Sequence, residues 1–79
     1  MKEEQEFTII HGKRFRIEDP HSQRIKDLTR DWEHHSSSDK LNSLLRDARH
    51  ASDNKMHFED KGVTAIHHSD GSYTLKTKN

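Results

Sequence analysis

The chain lacks cysteine, so no disulfide and no thiolate metal site can stabilise its fold. Hydrophobic residues make up only 27% of it and aromatic residues 6%, which limits the core that 79 residues can build. No apolar run approaches the roughly 20 residues that span a membrane. The charged segment from Met1 to Glu6 also lacks the apolar core of a signal peptide, so we expect a cytoplasmic protein without a membrane partner.

An excess of one charge is also missing. The chain has 14 basic and 14 acidic residues, and this balance argues against charge-driven disorder and against a general polyanion binder. The apolar residues recur periodically, as they do in folded chains. We therefore predict one small domain over residues 1–79, with residues 1–6 frayed. Its lean core favours a homodimer, which would bury more apolar surface.

The clearest structural signal lies in the C-terminal stretch, residues 56–78. Asp70 and Gly71 are typical of a two-residue type I′ hairpin turn, in which both residues need positive φ. Side chains alternate between the two faces of a strand, so this turn defines a shared face. Its members are Thr64, Ile66, His68, Tyr73 and Leu75.

A second turn precedes the first, because Gly62 is free to take the left-handed conformation. A three-residue loop there brings Met56 and Phe58 onto the shared face, whereas a two-residue loop would put them on the opposite one. The apolar pattern favours the three-residue loop. The stretch therefore predicts a three-stranded antiparallel meander with one apolar face, which other elements must cover.

An N-terminal hairpin is predicted from residues 7–10 and 14–17, which flank His11-Gly12-Lys13. An even-length loop would scatter the apolar side chains over both faces. An odd-length loop gathers four of them on one face, namely Phe7, Ile9, Phe15 and Ile17. In that register Ile10 either points outward or lies in a bulge.

Two helices are predicted between the hairpins. Asp19 suits a helix cap and Pro20 a first helical position, and the apolar stripe that follows is Ile25, Leu28 and Trp32. On one continuous helix, the next stripe would lie almost opposite the first, so the serines at 36–38 are interpreted as a break and a cap. The predicted helices run from His21 to about His34 and from about Asp39 to Ala51. The second presents Leu41, Leu44, Leu45 and Ala48 on one face.

The element order is therefore ββααβββ. The simplest fold is α+β with two layers, in which the N-terminal hairpin and the C-terminal meander form an antiparallel sheet with two helices on its apolar face. The strand order between the two hairpin units stays open, because each unit is specified locally and their relative placement is not.

Histidine is the one residue type in clear excess, with eight copies. The adjacent pairs His34-His35 and His67-His68 are poorly spaced for a shared metal, because neighbours diverge on a helix and alternate across a strand. No metal motif, nucleophile elbow or glycine-rich phosphate loop occurs. We predict no metal site, no cofactor and no enzymatic activity.

Nucleic-acid binding is the alternative function, because local rather than total charge sets the affinity for phosphates. The basic residues of the first hairpin and first helix are Lys13, Arg14, Arg16, Lys26 and Arg30. Two observations argue against this function. Acidic residues are interleaved with these bases, and the predicted apolar faces claim the aromatic rings that would stack on nucleotides.

Protein binding is the function that the sequence favours. The two hairpin units leave sheet edges that can pair with another chain. Trp32 and Ile10 are the candidate contacts, although Trp32 also suits the core and Ile10 a bulge. We predict a non-enzymatic adaptor, regulator or inhibitor-like module that binds another protein or itself.

Overall fold

Eight regular elements follow one another in a computed structural model of the chain, which describes residues 6–77. The strands are β1 (Glu6–Ile10), β2 (Lys13–Ile17), β3 (Lys55–Phe58), β4 (Val63–His67) and β5 (Tyr73–Thr77). The helices are α1 (Gln23–His35), α2 (Ser38–Leu44) and α3 (Arg46–His50). The predicted α+β class is confirmed. Glu6 belongs to β1, and the predicted fraying of the five residues before it lies outside the described residues.

The five strands form one mixed sheet in the order β1-β2-β5-β4-β3. Three neighbouring pairs are antiparallel, but β2 and β5 are parallel, so the prediction of a purely antiparallel sheet is wrong at this pair. The helices carry the chain from β2 to the far edge of the sheet. The meander then returns strand by strand, and its last strand meets β2 running in the same direction.

The N-terminal hairpin has a different register from the predicted one. Its loop contains two residues, His11 and Gly12, whose φ angles of 51° and 81° are both positive, as a type I′ turn requires. Histidine is among the few residue types that tolerate this region, and the His11 Nε2 donates to the Trp32 carbonyl oxygen at 3.0 Å. This even-length loop shifts β1 by one residue, so Ile10 faces the core and the predicted odd-length loop is wrong.

The meander differs from the prediction by one residue at each of its two turns. Asp70 does not adopt positive φ, because its carboxylate instead accepts hydrogen bonds from the backbone N–H and hydroxyl of Ser72. The connection is longer than two residues, and Ala65 rather than Ile66 lies opposite Leu75. The β4 core residues are therefore Val63 and Ala65, not Thr64, Ile66 and His68.

The turn between β3 and β4 contains four residues instead of the predicted three, and Gly62 takes the expected left-handed conformation with a φ of 68°. The two register errors cancel for β3. Met56 and Phe58 share a face with Tyr73 and Leu75, as predicted, and pack against the buried core.

The helices begin and end at other residues than those predicted. Ser22, not Asp19, caps α1, since its hydroxyl accepts from the Ile25 N–H at 3.3 Å. The predicted serine cap of the next helix is Ser37, which accepts from the Lys40 N–H at 3.1 Å. The predicted single second helix is interrupted at Leu45, whose φ and ψ of −93° and 2° separate α2 from α3.

The core lies between the sheet and the helices, and Trp32 is at its centre. Its ring centroid is 5.4 Å from that of Phe15 and 5.4 Å from that of Phe58, and Phe15 in turn stacks on Tyr73 at 5.5 Å. The buried helix residues around these rings are Ile25, Leu28, Leu41, Leu45 and Ala48. All three helices therefore cover the same face of the sheet. Within residues 6–77, no helix combines the length and apolar character needed to cross a membrane.

Candidate functional site

The face of the sheet opposite the helices is not covered by any element within residues 6–77. Strand alternation and the observed registers assign ten strand residues to this open face. They are Phe7, Ile9, Arg14, Arg16, Lys55, His57, Thr64, Ile66, Thr74 and Lys76. Because the face combines residues from all five strands, no single stretch of the chain contains it.

The open face carries cations and no carboxylate at any of its strand positions. Arg14 and Arg16 come from β2, Lys55 from β3 and Lys76 from β5. Within the described part of the chain, none of these four side chains forms an ion pair. A chain with zero net charge thus presents a locally positive surface, because among residues 6–77 no acid occupies a strand position of this face.

The acids that flank this surface along the chain include Glu6, which lies in β1 on the core-side register, and Glu59, which directly follows β3. Glu18 follows β2 directly, and Asp70 lies in the turn before β5. Because β2 and β5 are parallel, these two residues stand at opposite ends of the sheet. They border the cations and do not separate them.

Two buried threonines form the floor of the open face. Thr64 and Thr74 are each 3% exposed, and each hydroxyl is within hydrogen-bond distance of a histidine. His57 Nδ1 lies 2.8 Å from the Thr64 Oγ1, and His68 Nε2 lies 2.5 Å from the Thr74 Oγ1. The histidines thus satisfy polar groups that would otherwise be buried without partners, and they lie over the sheet near the cations.

Arg16 lies in a row of side chains that crosses the whole sheet. Phe7 is its neighbour on β1 and Thr74 its neighbour on β5, and the row continues through Ile66 to Lys55. The Arg16 Nε is buried and has no hydrogen-bond partner among residues 6–77. An oxyanion that reached this Nε after a small side-chain movement would supply the acceptor that it lacks.

The apolar part of the open face lies on the edge strand β1. Phe7 is 62% exposed and Ile9 is 67% exposed, which is unusual for large apolar side chains in so lean a protein. Together with Arg14 they line a shallow hollow of about 310 Å³. An aromatic ring and a guanidinium thus lie at the same edge of the sheet.

The chain matches no protein-family model, no curated protein and no solved structure.

The five predicted nucleic-acid contacts do not form one surface. Arg14 and Arg16 lie on the open face, whereas Lys26 and Arg30 are exposed on α1, in the layer that covers the opposite face. Arg30 lies 4.0 Å from the Asp27 carboxylate. The Lys13 Nζ donates to the Asn42 Oδ1 at 3.1 Å, so this lysine is directed towards α2.

The two predicted protein contacts are both in the core. Trp32 and Ile10 are each 2% exposed. The prediction that Ile10 points outward or lies in a bulge is wrong, because the two-residue turn places it on the core face. Trp32 occupies the alternative position considered for it, that of the main core aromatic. Neither side chain is available to a partner while the domain is folded.

Within the described residues, no three histidine or acidic side chains converge in an arrangement that could hold a metal ion. His67, not His68, lies beside Tyr73 on the core face, with ring centroids 5.1 Å apart. The sequence prediction for these two neighbours is thus reversed by the one-residue change in register.

Four residues that give the open face its charge and its apolar edge were missed by the sequence analysis, which assigned Ile9 together with Phe7 to the core face. Lys55 and Lys76 lie in strands that were assigned to an apolar meander, and Phe7 was assigned to the core. The exposure of Phe7 could have been predicted from the His11-Gly12 dipeptide, which suits a two-residue turn. That turn gives the register in which Phe7 lies on the open face. No local signal indicated that β3 and β5 would place their lysines on the same face as Arg14.

Proposed function

We propose that this protein binds single-stranded nucleic acid across its open sheet face. The observation that carries the proposal is the segregation of charge. Four cations that have no ion-pair partner within residues 6–77 share a face whose strand positions hold no acid. Phosphates bind such a surface through local charge, whatever the net charge of the chain.

The sequence provided two arguments against nucleic-acid binding, namely interleaved acids and a lack of available aromatic rings, and neither applies to the open face. The acids that interrupt the basic residues along the chain lie on α1 or beyond the strand ends. The missing aromatic residue is Phe7, whose ring is exposed beside Arg16. An exposed ring can stack on any base, because every base has a π face.

An open sheet suits single strands better than a duplex. Five strands about 4.8 Å apart make a surface about 19 Å wide, broad enough for several unstacked nucleotides. Bases that are free of pairing can lie on exposed Phe7 and Ile9 while their phosphates contact Arg14 and Arg16. A duplex would present its phosphates but hide its base faces, and so would not use the apolar edge.

Fluorescence anisotropy with a labelled single strand of about 12 nucleotides tests the proposal. We expect binding at low salt that an unlabelled single strand displaces more effectively than the same sequence in a duplex. Polyglutamate serves as the second competitor and stands for an acidic protein. Absence of binding at low salt, or equally effective displacement by polyglutamate, would refute the proposal.

Protein binding or self-association through the edge of β1 is the second candidate function. The observation that favours it is the exposure of Phe7 and Ile9 on a strand that has one side unpaired within residues 6–77. Such an edge can add a strand from another chain. Ile9→Lys separates the two candidates, because a lysine on the edge opposes strand addition and adds a cation to the open face. Light scattering would report the loss of association, and anisotropy would report retained or tighter nucleic-acid binding.

A further inference from the structure

A cleft of about 550 Å³ lies at one end of the open face, between the turn that joins β1 to β2 and the turn that joins β4 to β5. Its size falls within the range of small-ligand pockets. The residues that line it are Ile9, Gly12, Lys13, Arg14, Asp70, Gly71 and Ser72. It shares Ile9 and Arg14 with the hollow beside Phe7, so the cleft continues the open face.

Two glycines line this cleft. Gly12 and Gly71 have φ angles of 81° and 91°, and a Cβ at either position would meet no atom within 4 Å. The conformation explains why glycine suits these positions, and the absence of neighbours leaves the backbone of both turns accessible to a ligand.

Among the described residues, Asp70 is the only carboxylate in the lining of the cleft. Its Oδ1 accepts from the Ser72 backbone N–H at 2.9 Å and from the Ser72 hydroxyl at 2.6 Å. These two bonds hold the carboxylate in place, and no partner of the other oxygen is found among the described residues. The Ser72 hydroxyl, followed by its backbone N–H, lowers the pKa of Asp70, and the charges of His68 and Arg14 act in the same direction. The carboxylate is therefore ionised at neutral pH and can only accept hydrogen bonds.

The Asp70 carboxylate, at the end of the positive open face, interacts differently with the phosphate and with the base of a nucleotide. Asp70 repels a phosphate, which the Arg14 guanidinium attracts. It attracts an exocyclic amine and repels a carbonyl oxygen at the same position of a base. Cytosine carries an amine where uracil and thymine carry a carbonyl, so the free oxygen of Asp70 distinguishes these bases of equal ring size.

From this arrangement we infer that the cleft holds one nucleotide of the bound strand and that Asp70 selects a base with an exocyclic amine over uracil or thymine. The base lies against Ile9, with its amine donating to Asp70 and its phosphate on the side of Arg14. The inference rests on the proposed function, because it concerns one position along the same strand.

Anisotropy with oligo-dC and oligo-dT of about 12 nucleotides tests the inference, using the wild-type chain and Asp70→Asn. We expect the wild type to bind oligo-dC about three- to tenfold more tightly, as one charge-assisted hydrogen bond to an exposed group allows. In Asp70→Asn the amide still accepts from Ser72 but also donates, so the ratio should fall to about one while oligo-dT binds at least as tightly as before.

Asp53→Asn is the matched control. Asp53 is also an exposed turn residue whose Oδ1 accepts a backbone N–H, that of Lys55 at 3.2 Å, but it does not line the cleft. This variant should retain the wild-type preference, and loss of the preference in it would overturn the inference. Equal wild-type binding of the two strands would overturn the inference and leave the proposed function intact. No binding of either strand would overturn both.

Discussion

The sharpest prediction concerns how salt weakens nucleic-acid binding when two cations of the open face are removed. Arg14 and Lys55 are both exposed and lie on different strands. Arg14→Gln with Lys55→Gln lowers the charge of the open face from four cations to two. Neither side chain is in the core, so the fold should be unaffected.

The magnitude follows from counterion release. Each phosphate neutralised on a single strand contributes about −0.7 to the slope of log affinity against log salt. Four cations therefore give a slope of about −2.8, and the remaining two give about −1.4. When salt is raised from about 50 to 200 mM, the wild-type affinity should fall about 50-fold and that of the variant about sevenfold.

The matched control removes two cations from the other layer. Lys26→Gln with Arg30→Gln makes the same change in net charge on the exposed surface of α1. We expect this control to keep the wild-type slope, measured by anisotropy titrations at several salt concentrations. If both double variants reduce the slope equally, total charge rather than the open face governs binding, and the reasoning fails. It also fails if neither variant changes the slope.

Three further predictions concern single residues. Phe7→Ala should weaken binding of a single strand by about 1–3 kcal/mol through lost stacking, while Phe7→Tyr should not. Because Phe7 is exposed, its loss should change the free energy of unfolding by less than about 0.5 kcal/mol, and a larger change would identify it as a core residue. Trp32→Ala should cost about 3–5 kcal/mol in urea denaturation followed by circular dichroism, a large part of the roughly 4–12 kcal/mol expected for a chain of this size. A loss below about 1 kcal/mol would contradict its central place in the core. Ser72→Ala should raise the pKa of Asp70 towards its ordinary value, measured by NMR titration of the carboxyl carbon, because the hydroxyl is the main cause of its lowering. The stabilisation that this bond provides is present at neutral pH and is lost as the pH falls through the lowered pKa, and an unchanged pKa in Ser72→Ala would refute the assignment.

Local sequence patterns predicted only part of the candidate site. Arg14 and Arg16 were recognised as a basic pair on one strand, because strand alternation alone puts residues two apart on the same face. Lys55 and Lys76 could not be added to them, since no local pattern specified that β5 would pair with β2. The parallel pairing depends on how the helices fill the space between the hairpin units, and so on the packing of Trp32 against Phe15 and Phe58.

The strand registers were the feature that the sequence predicted least well. They determine which side chains lie on the open face. The odd-length loop was predicted because it buries more apolar side chains. The observed turn leaves Phe7 and Ile9 exposed, because His11 and Gly12 form a compact turn held by the Trp32 carbonyl group. A change of one residue moves every side chain of a strand to the other face, so a small local error reverses the inside and outside of β1.

By itself, the sequence determined the element types and the helix faces that are buried. The stripe Ile25, Leu28 and Trp32 enters the core as its spacing predicts, because helix geometry depends on hydrogen bonds within one segment. Only the tertiary structure decided the strand order, the registers and the composition of the open face. Those features depend on contacts between segments that are far apart in the chain. A local sequence pattern does not indicate which of the possible contacts has the lowest free energy.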